Sequence, residues 1–415
     1  MTVCHKPSST GSPKFHYAWI IVLVGTLSVF ACLGLARFAF GMLLPSMRDA
    51  LAMSYDQMGY LGTANFAGYL FSVAVTPLLL RRLSPRALIT VGLLLISTCM
   101  LGISGSTSYP SVLLLYSLVG VGSGLTNIPI MVLVSYWLRR DRRGQAAGLI
   151  VAGSGFAIIF SGVLVPYLNA GFTENGWRIG WLVLGILVFF VSLVAGFLVR
   201  NDPAEMALEP CGTIQAVDYD PSSSKGDFDG LRVLMHLGAL YFVFGATYVV
   251  YGTFIVTTMV EEYAYAEASA GMFWSWVGFF SLFSGIIFGP LSDKIGRKGG
   301  LMAVFGVQAL AYFLAGSRLG TIAVFVSVVL YGVAVFAIPA IMAAAVGDYF
   351  GKAKAATAFS VITFCFAFGQ TIGPTLAGLV AQASGTFMPS YLAAGALAAI
   401  AALVAARLPS LSANY

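Results

Sequence analysis

Charge is what this chain has least of. Only 9% of its 415 residues are charged while 59% are hydrophobic. A soluble domain covers itself with about 25% charged residues, so a water-facing surface is excluded and a lipid-facing one follows. The 16 acidic residues all fall in loops or at the ends of apolar stretches, and His5, His16 and His236 lie near the side of the termini. No side chain deep in an apolar stretch therefore resembles a proton carrier. The five cysteines (Cys4, Cys32, Cys99, Cys211, Cys365) form neither a metal spacing nor a disulfide framework. No catalytic cluster or metal-ligand set is visible either, so neither an enzyme nor a cofactor is expected.

What is present is repeated hydrophobic length. Crossing a hydrocarbon layer of roughly 30 Å takes about 20 apolar residues in a helix. Twelve stretches qualify, at roughly 17–44, 54–80, 85–106, 110–138, 144–169, 178–200, 233–260, 267–290, 299–317, 320–347, 353–381 and 386–407. No short apolar core with a small-residue cleavage site precedes the first, so no signal peptide is expected. Of the 22 Lys and Arg, only Arg48, Arg178 and Arg318 fall on the side opposite the termini, and Arg37 lies inside a span. That bias predicts cytoplasmic termini. It explains basic runs such as Arg139, Arg140, Arg142 and Arg143 as topology signals in a lipid bilayer, not as a nucleic-acid surface.

Residues 201–232 are acidic and rich in Pro, Ser and Gly, which reads as a cytoplasmic linker. It separates an N-terminal tail (1–16) and six-helix bundle (17–200) from a second bundle (233–407) and a C-terminal tail (408–415). The halves repeat at a nearly constant offset. Arg37-Phe38-Ala39-Phe40-Gly41 aligns with Tyr248-Val249-Val250-Tyr251-Gly252, Ile128-Pro129 with Ile338-Pro339, and Arg143 to Ala147 with Lys352 to Ala356. Duplicated halves suit a transporter whose site lies between them.

Between spans eight and nine stands Gly289-Pro290-Leu291-Ser292-Asp293-Lys294-Ile295-Gly296-Arg297-Lys298. This resembles the signature loop of the major facilitator superfamily, G-x-L-x-D-x-x-G-R-K/R. The resemblance covers the whole chain and implies an all-α membrane protein: twelve transmembrane helices in two pseudo-symmetric bundles. The matching loop after span two, Leu80 to Arg86, lacks the Asp. Asp293 is expected to pin the inner end of span eight to the start of span five in the outward-open state, with Arg297 and Asp348 paired beside it. Within the superfamily, Tyr17-Ala18-Trp19 and Leu43-Leu44-Pro45-Ser46-Met47 are similar to the bacterial oxalate–formate and monocarboxylate group. An Ala-Arg-Phe-x-x-Gly element in span one is also similar to an uncharacterised bacterial group. Animal monocarboxylate carriers use an Asp–Arg pair in span eight. Span eight here carries no such charge, which leaves exchange, facilitated diffusion or a proton carried with the substrate.

Arg37 is the one charge well inside a span. It could snorkel to the outer headgroups, pair with backbone carbonyls, or bind an anion through the planar fork of its guanidinium. Gly34 and Gly41, at i−3 and i+4, share its stripe, leaving room for a ligand or for a packed helix. Asn65 and Tyr69 in span two, Tyr248 and Tyr251 in span seven, Trp276 in span eight (placed by the repeat opposite Asn65), Tyr331 in span ten and Gln370 in span eleven complete the candidate substrate site. Each has a structural alternative, as interfacial belt or helix–helix glue. The sequence thus predicts a monomeric carrier of a small organic anion, a monocarboxylate by preference, in the plasma membrane (the inner membrane of a bacterium). A proton or counter-anion remains open as coupling partner. The alternative is an exporter of neutral or cationic compounds.

Overall fold

The computed structural model describes residues 16–172, 175–213 and 230–409. Most of both tails and the middle of the linker lie outside the described residues. The first crossing joins α1 (Ala18–Val29), a π-helical segment (Phe30–Phe38) and α2 (Ala39–Leu51). The rest of the first bundle is α3 (Tyr55–Leu79), α4 (Pro85–Gly105), α5 (Tyr109–Trp137), α6 (Arg140–Gly171) and α7 (Gly176–Leu198). The second bundle comprises α8 (Gly230–Thr257) with a short π-helical end (Thr258–Glu262), α9 (Glu267–Ser281), α10 (Ser284–Ala315), α11 (Thr321–Ala334), α12 (Ala337–Ser384) and α13 (Met388–Ala405).

Ten helices among the described residues are long and apolar enough to cross a membrane. α3 and the pair formed by α9 with the start of α10 supply the two remaining crossings. Glycine sets the turns. Gly296 (φ 80°) and Gly351 (φ 63°) interrupt α10 and α12 with backbone that a side chain disfavours. Each divides one long helix into the end of one crossing and the start of the next. Ser54 opens α3 through a reciprocal cap with Gln57, and Ser84 caps α4 ahead of Pro85.

The bundles meet through α3 on α12, α6 on α9 and α2 on α8. A Cβ on Gly162 would lie 2.4 Å from the Gly271 carbonyl oxygen, and one on Gly278 would lie 2.7 Å from that of Gly155. Small residues let membrane helices approach this closely. Toward the side of the termini, Gly144 and Gly148 on α6 and Gly285 and Gly289 on α10 continue the same line, yet nothing lies within 4 Å of their Cβ positions. The bundles are therefore jammed together on the far side and splayed on the side of the termini.

Polar groups lock the far side. Arg48 pairs with Glu261, which also accepts a hydrogen bond from the Tyr55 hydroxyl (3.1 Å). Asn169 donates to Glu267 (2.9 Å), and the Thr63 hydroxyl donates to the Thr371 carbonyl (2.6 Å). On the splayed side, Arg297 bridges Asp293 and Asp348, the latter at 2.6 Å. Over 201–213 the expected linker straps the first bundle. Cys211 bridges Leu138, Glu209 pairs with Arg139, and Trp137 donates to the Arg200 carbonyl (2.9 Å). The Thr213 backbone N–H, together with its hydroxyl, donates to Asp141 and holds that carboxyl below the usual carboxylate range.

Gly148→Leu meets open space in the present state but blocks approach of α10. Transport should fall about tenfold or more, the effect of ~1.4 kcal/mol in a barrier, with the melting temperature in detergent nearly unchanged; normal turnover would show that the inner glycines never close. Arg48→Ala removes a partly exposed ion pair worth ~1 kcal/mol. It should raise far-side maleimide labelling of a cysteine at Thr253 severalfold, and an unchanged rate would remove Arg48 from the latch.

Candidate functional site

Arg37 owes its position to the π-helical segment. Hydrogen bonds from i to i+5 widen the helix, a departure that recurs at functional sites. The wide turn separates two glycines that a regular helix would align with Arg37. Gly34 packs on Ala157 of α6, and a Cβ on Gly41 would lie 2.8 Å from the Gly252 carbonyl oxygen of α8. Neither leaves space for a ligand; both accommodate a helix. The guanidinium instead points inward between two rings of α3, 4.5 Å from the centroid of Phe66 and 4.6 Å from that of Tyr69. These faces offer cation–π attraction, but no hydrogen bond. Nε and Nη2 are both buried without a partner. Snorkelling to headgroups is thereby replaced by burial, and backbone carbonyls do not satisfy these two nitrogens.

Arg37 opens on a small cavity between the bundles, walled by Phe38, Phe66 and Tyr116 on one side and Tyr248, Gly252 and Thr253 on the other. Its volume is about 20 Å³, enough for one water molecule. A carboxylate requires the walls to move apart.

The opposite wall is built by packed aromatics. Tyr241, Phe244 and Tyr248 lie along α8 and stack with Phe366 of α12, the Tyr241–Phe366 centroids being 4.5 Å apart and the Phe244–Tyr248 centroids 4.8 Å. Gln370 donates from Nε2 to the Tyr248 hydroxyl, while its Oε1 is buried without a partner. Tyr331 donates to the Tyr248 carbonyl oxygen (2.8 Å). Tyr251 stacks on Tyr331 at 4.0 Å and shares a hydrogen bond with Ser327 (2.9 Å).

The expected site residues therefore separate. Arg37 and Tyr248 face each other across the cavity. Tyr69 flanks the guanidinium and accepts from Asn127 (3.2 Å), and Gln370 braces Tyr248. Tyr251 and Tyr331 lie behind that wall, fully buried in the core of the second bundle. Asn65 is fully buried and donates to the Tyr116 carbonyl (3.0 Å), so it ties α3 to α5. Trp276 lies apart from the other candidates. Gly271, Ser275 and Gly278 turn toward α6, which puts Trp276 on the opposite, exposed face of α9 with Met272 and Phe279. Phe66 and Tyr116 line the site without having been singled out. Phe66 shares the α3 face of Tyr69 toward the guanidinium, but an apolar ring in an apolar helix carries no compositional signal.

Two six-helix bundles, shut on one side and enclosing a polar site between them, have the architecture of a membrane transporter. The chain belongs to the family described as the uncharacterised MFS-type transporter YbfB, which matches residues 29–406. It is 21% identical to monocarboxylate transporter 2 of Rattus norvegicus over 402 residues, 92% of this chain and 81% of that protein. It is 29% identical to the oxalate:formate antiporter of Oxalobacter formigenes over 229 residues, 52% of this chain and 50% of that protein. The crystal structure of a D-xylose–proton symporter superposes with a TM-score of 0.76 at 15% identity, covering 94% of this chain and 98% of that one, and so shares the fold. The protein is a multi-pass membrane transporter of small organic substrates.

Because Trp276 faces outward, Trp276→Leu should leave substrate uptake within about twofold of the parent, as surface substitutions do. A loss comparable to that of Tyr248→Phe would return it to the site.

Proposed function

We propose that this carrier moves a small organic anion, a monocarboxylate by preference, by secondary active or facilitative transport. The observation that supports this reading most is the Arg37 guanidinium, buried between the bundles with two N–H directions unpartnered. A planar fork of donors matches a carboxylate with two charge-assisted hydrogen bonds. Tyr248, on the opposite bundle, supplies a hydroxyl to the same anion. An anion gripped from both bundles binds best when they close on it, and that difference in affinity is what shifts the population between states. The rat monocarboxylate transporter and the Oxalobacter oxalate:formate antiporter are both named for carboxylates, which agrees with the reading.

The positive-inside bias orients the termini toward the cytoplasm of a plasma (bacterial inner) membrane, which makes the present conformation inward-open. In the opposite state Asp293 exchanges part of its pairing with Arg297 for the start of α6. This gating role suits its 63% exposed side chain.

The test is a proteoliposome panel of labelled formate, lactate, oxalate and benzoate, beside amino acids and cationic dyes. The expected result is saturable carboxylate uptake that falls at least a hundredfold in Arg37→Ala, the scale of a lost charge-assisted pair worth ~3 kcal/mol. Normal carboxylate uptake by Arg37→Ala would sink the proposal. Dye export that ignores the substitution would favour the exporter of neutral or cationic compounds.

A further inference from the structure

We infer that the far side of this protein carries a second binding site, for a hydroxylated organic ammonium ion, whose occupant clamps the two bundles shut there. The inference goes beyond the anion reading of Arg37 and does not rest on it.

A cleft of about 660 Å³ lies at the far ends of α2, α6, α7 and α9, against about 20 Å³ beside Arg37. That volume falls in the range of small-molecule sites. Its walls come from both bundles: Asp49, Asn169 and Trp177 from the first, Glu267 from the second. Two carboxylates and no Lys or Arg line it, so its field favours a cation. Asp49 is exposed and takes part in no hydrogen bond or ion pair among the described residues, and its neighbour Arg48 is committed to Glu261. Among the described residues no three His, Cys, Asp or Glu are grouped to hold a metal ion, so the cleft suits an organic cation better than a metal.

Carboxylates alone would be a solvated rim. Two buried polar atoms point to a ligand. Trp177 is 1% exposed, and its indole Nε1–H has no acceptor. Asn169 Oδ1 is buried with no donor. Turning the amide does not relieve it. Nδ2 donates to Glu267 (2.9 Å) and to Ser46 Oγ (3.3 Å), and the reversed amide would set its oxygen against the carboxylate. Gly176 lies beside that oxygen, where a Cβ would sit 2.5 Å away; the missing side chain keeps the approach open. Buried polar groups ordinarily have partners. Here the complementary partner is an ammonium whose N–H groups meet Asn169 Oδ1 and whose charge meets Asp49 and Glu267, with an oxygen lone pair for Trp177 Nε1. A protonated amine among hydroxyls supplies all of these, which is the chemistry of amino alcohols and amino sugars. An alkylammonium leaves Trp177 unmet, and a neutral sugar leaves the carboxylates unbalanced.

The clamp follows from where the walls are anchored. Asp49 and Glu267 belong to different bundles, and Asn169 already reaches across to Glu267. When the far side opens, α9 leaves α2 and α6 and the site is divided. A ligand held by both walls therefore binds the far-side-closed state, and that difference in affinity draws the population toward it.

Calorimetry on the purified protein at about pH 6, where a sugar amine is protonated, tests the site in a buffer free of amines. Glucosamine should bind saturably. N-acetylglucosamine, which has lost the charge, and cyclohexylammonium, which lacks the oxygens, should each bind at least tenfold more weakly. Asp49→Asn and Ala268→Trp alter exposed residues of the cleft. Each should weaken glucosamine at least tenfold with the melting temperature nearly unchanged. The clamp has its own readout. Glucosamine on the far side should slow maleimide labelling of a cysteine at Thr253 from that side at least threefold, and N-acetylglucosamine should not. No glucosamine binding, equal binding of either analogue, or full binding by either variant would overturn the site. Binding that leaves the labelling rate unchanged, or raises it, would overturn the clamp.

Discussion

One guanidinium, held at the junction of two helix bundles with no carboxylate paired to it among the described residues, is the constraint around which this carrier is organised. Charge in a bilayer interior persists only where something compensates it. Here the compensation is partial: two aromatic faces, and two N–H directions left open. The widened first helix aims the side chain inward, and the wall opposite is a rigid aromatic stack that fixes Tyr248. The site is neither a generic apolar cleft nor a finished ion pair. It is half of one.

The rest of the fold decides when that half is exposed. Glycines at 155, 162, 271 and 278 let α6 and α9 touch backbone to backbone, and those at 144, 148, 285 and 289 extend the same surfaces into the splayed half. A pair of surfaces that are smooth along their whole length can close at either end. The bias between the ends comes from polar groups. Arg48, Glu261, Tyr55, Asn169 and Glu267 hold the far side, while Arg297 keeps Asp293 and Asp348 on the second bundle. The strap at 201–213 braces the turn between α5 and α6, so that the first bundle presents a firm edge to the gate.

Architecture was legible because lipid demands long apolar helices, and charge asymmetry marks their ends. The signature loop and the partnership of Arg297 with Asp348 could be read as strings. Side-chain direction was less accessible. A π-helical segment has no compositional mark, so Gly34 and Gly41 were assigned to a stripe that the wider turn dissolves. The repeat placed Trp276 opposite Asn65, but repeats preserve helix order better than rotation, and the glycines of α9 take the face toward α6, leaving Trp276 exposed. Tyr251 and Tyr331 were polar enough to suggest a wall; they form the core behind it, with hydroxyls bonded to Ser327 and to the Tyr248 carbonyl. The linker was read from its acidic, Pro-rich composition, which says nothing of a partner. Arg139 and Asp141 provide one.

The measurement closest to the central claim is equilibrium binding by the purified protein, with labelled lactate competed by lactate and by its uncharged amide. These ligands have nearly the same size and differ in the group that a guanidinium recognises. Lactate should displace the label and the amide should not, and an Arg37→Gln protein should lose the distinction. Equal competition by acid and amide, or full discrimination without Arg37, would mean that this cation is not what holds the cargo.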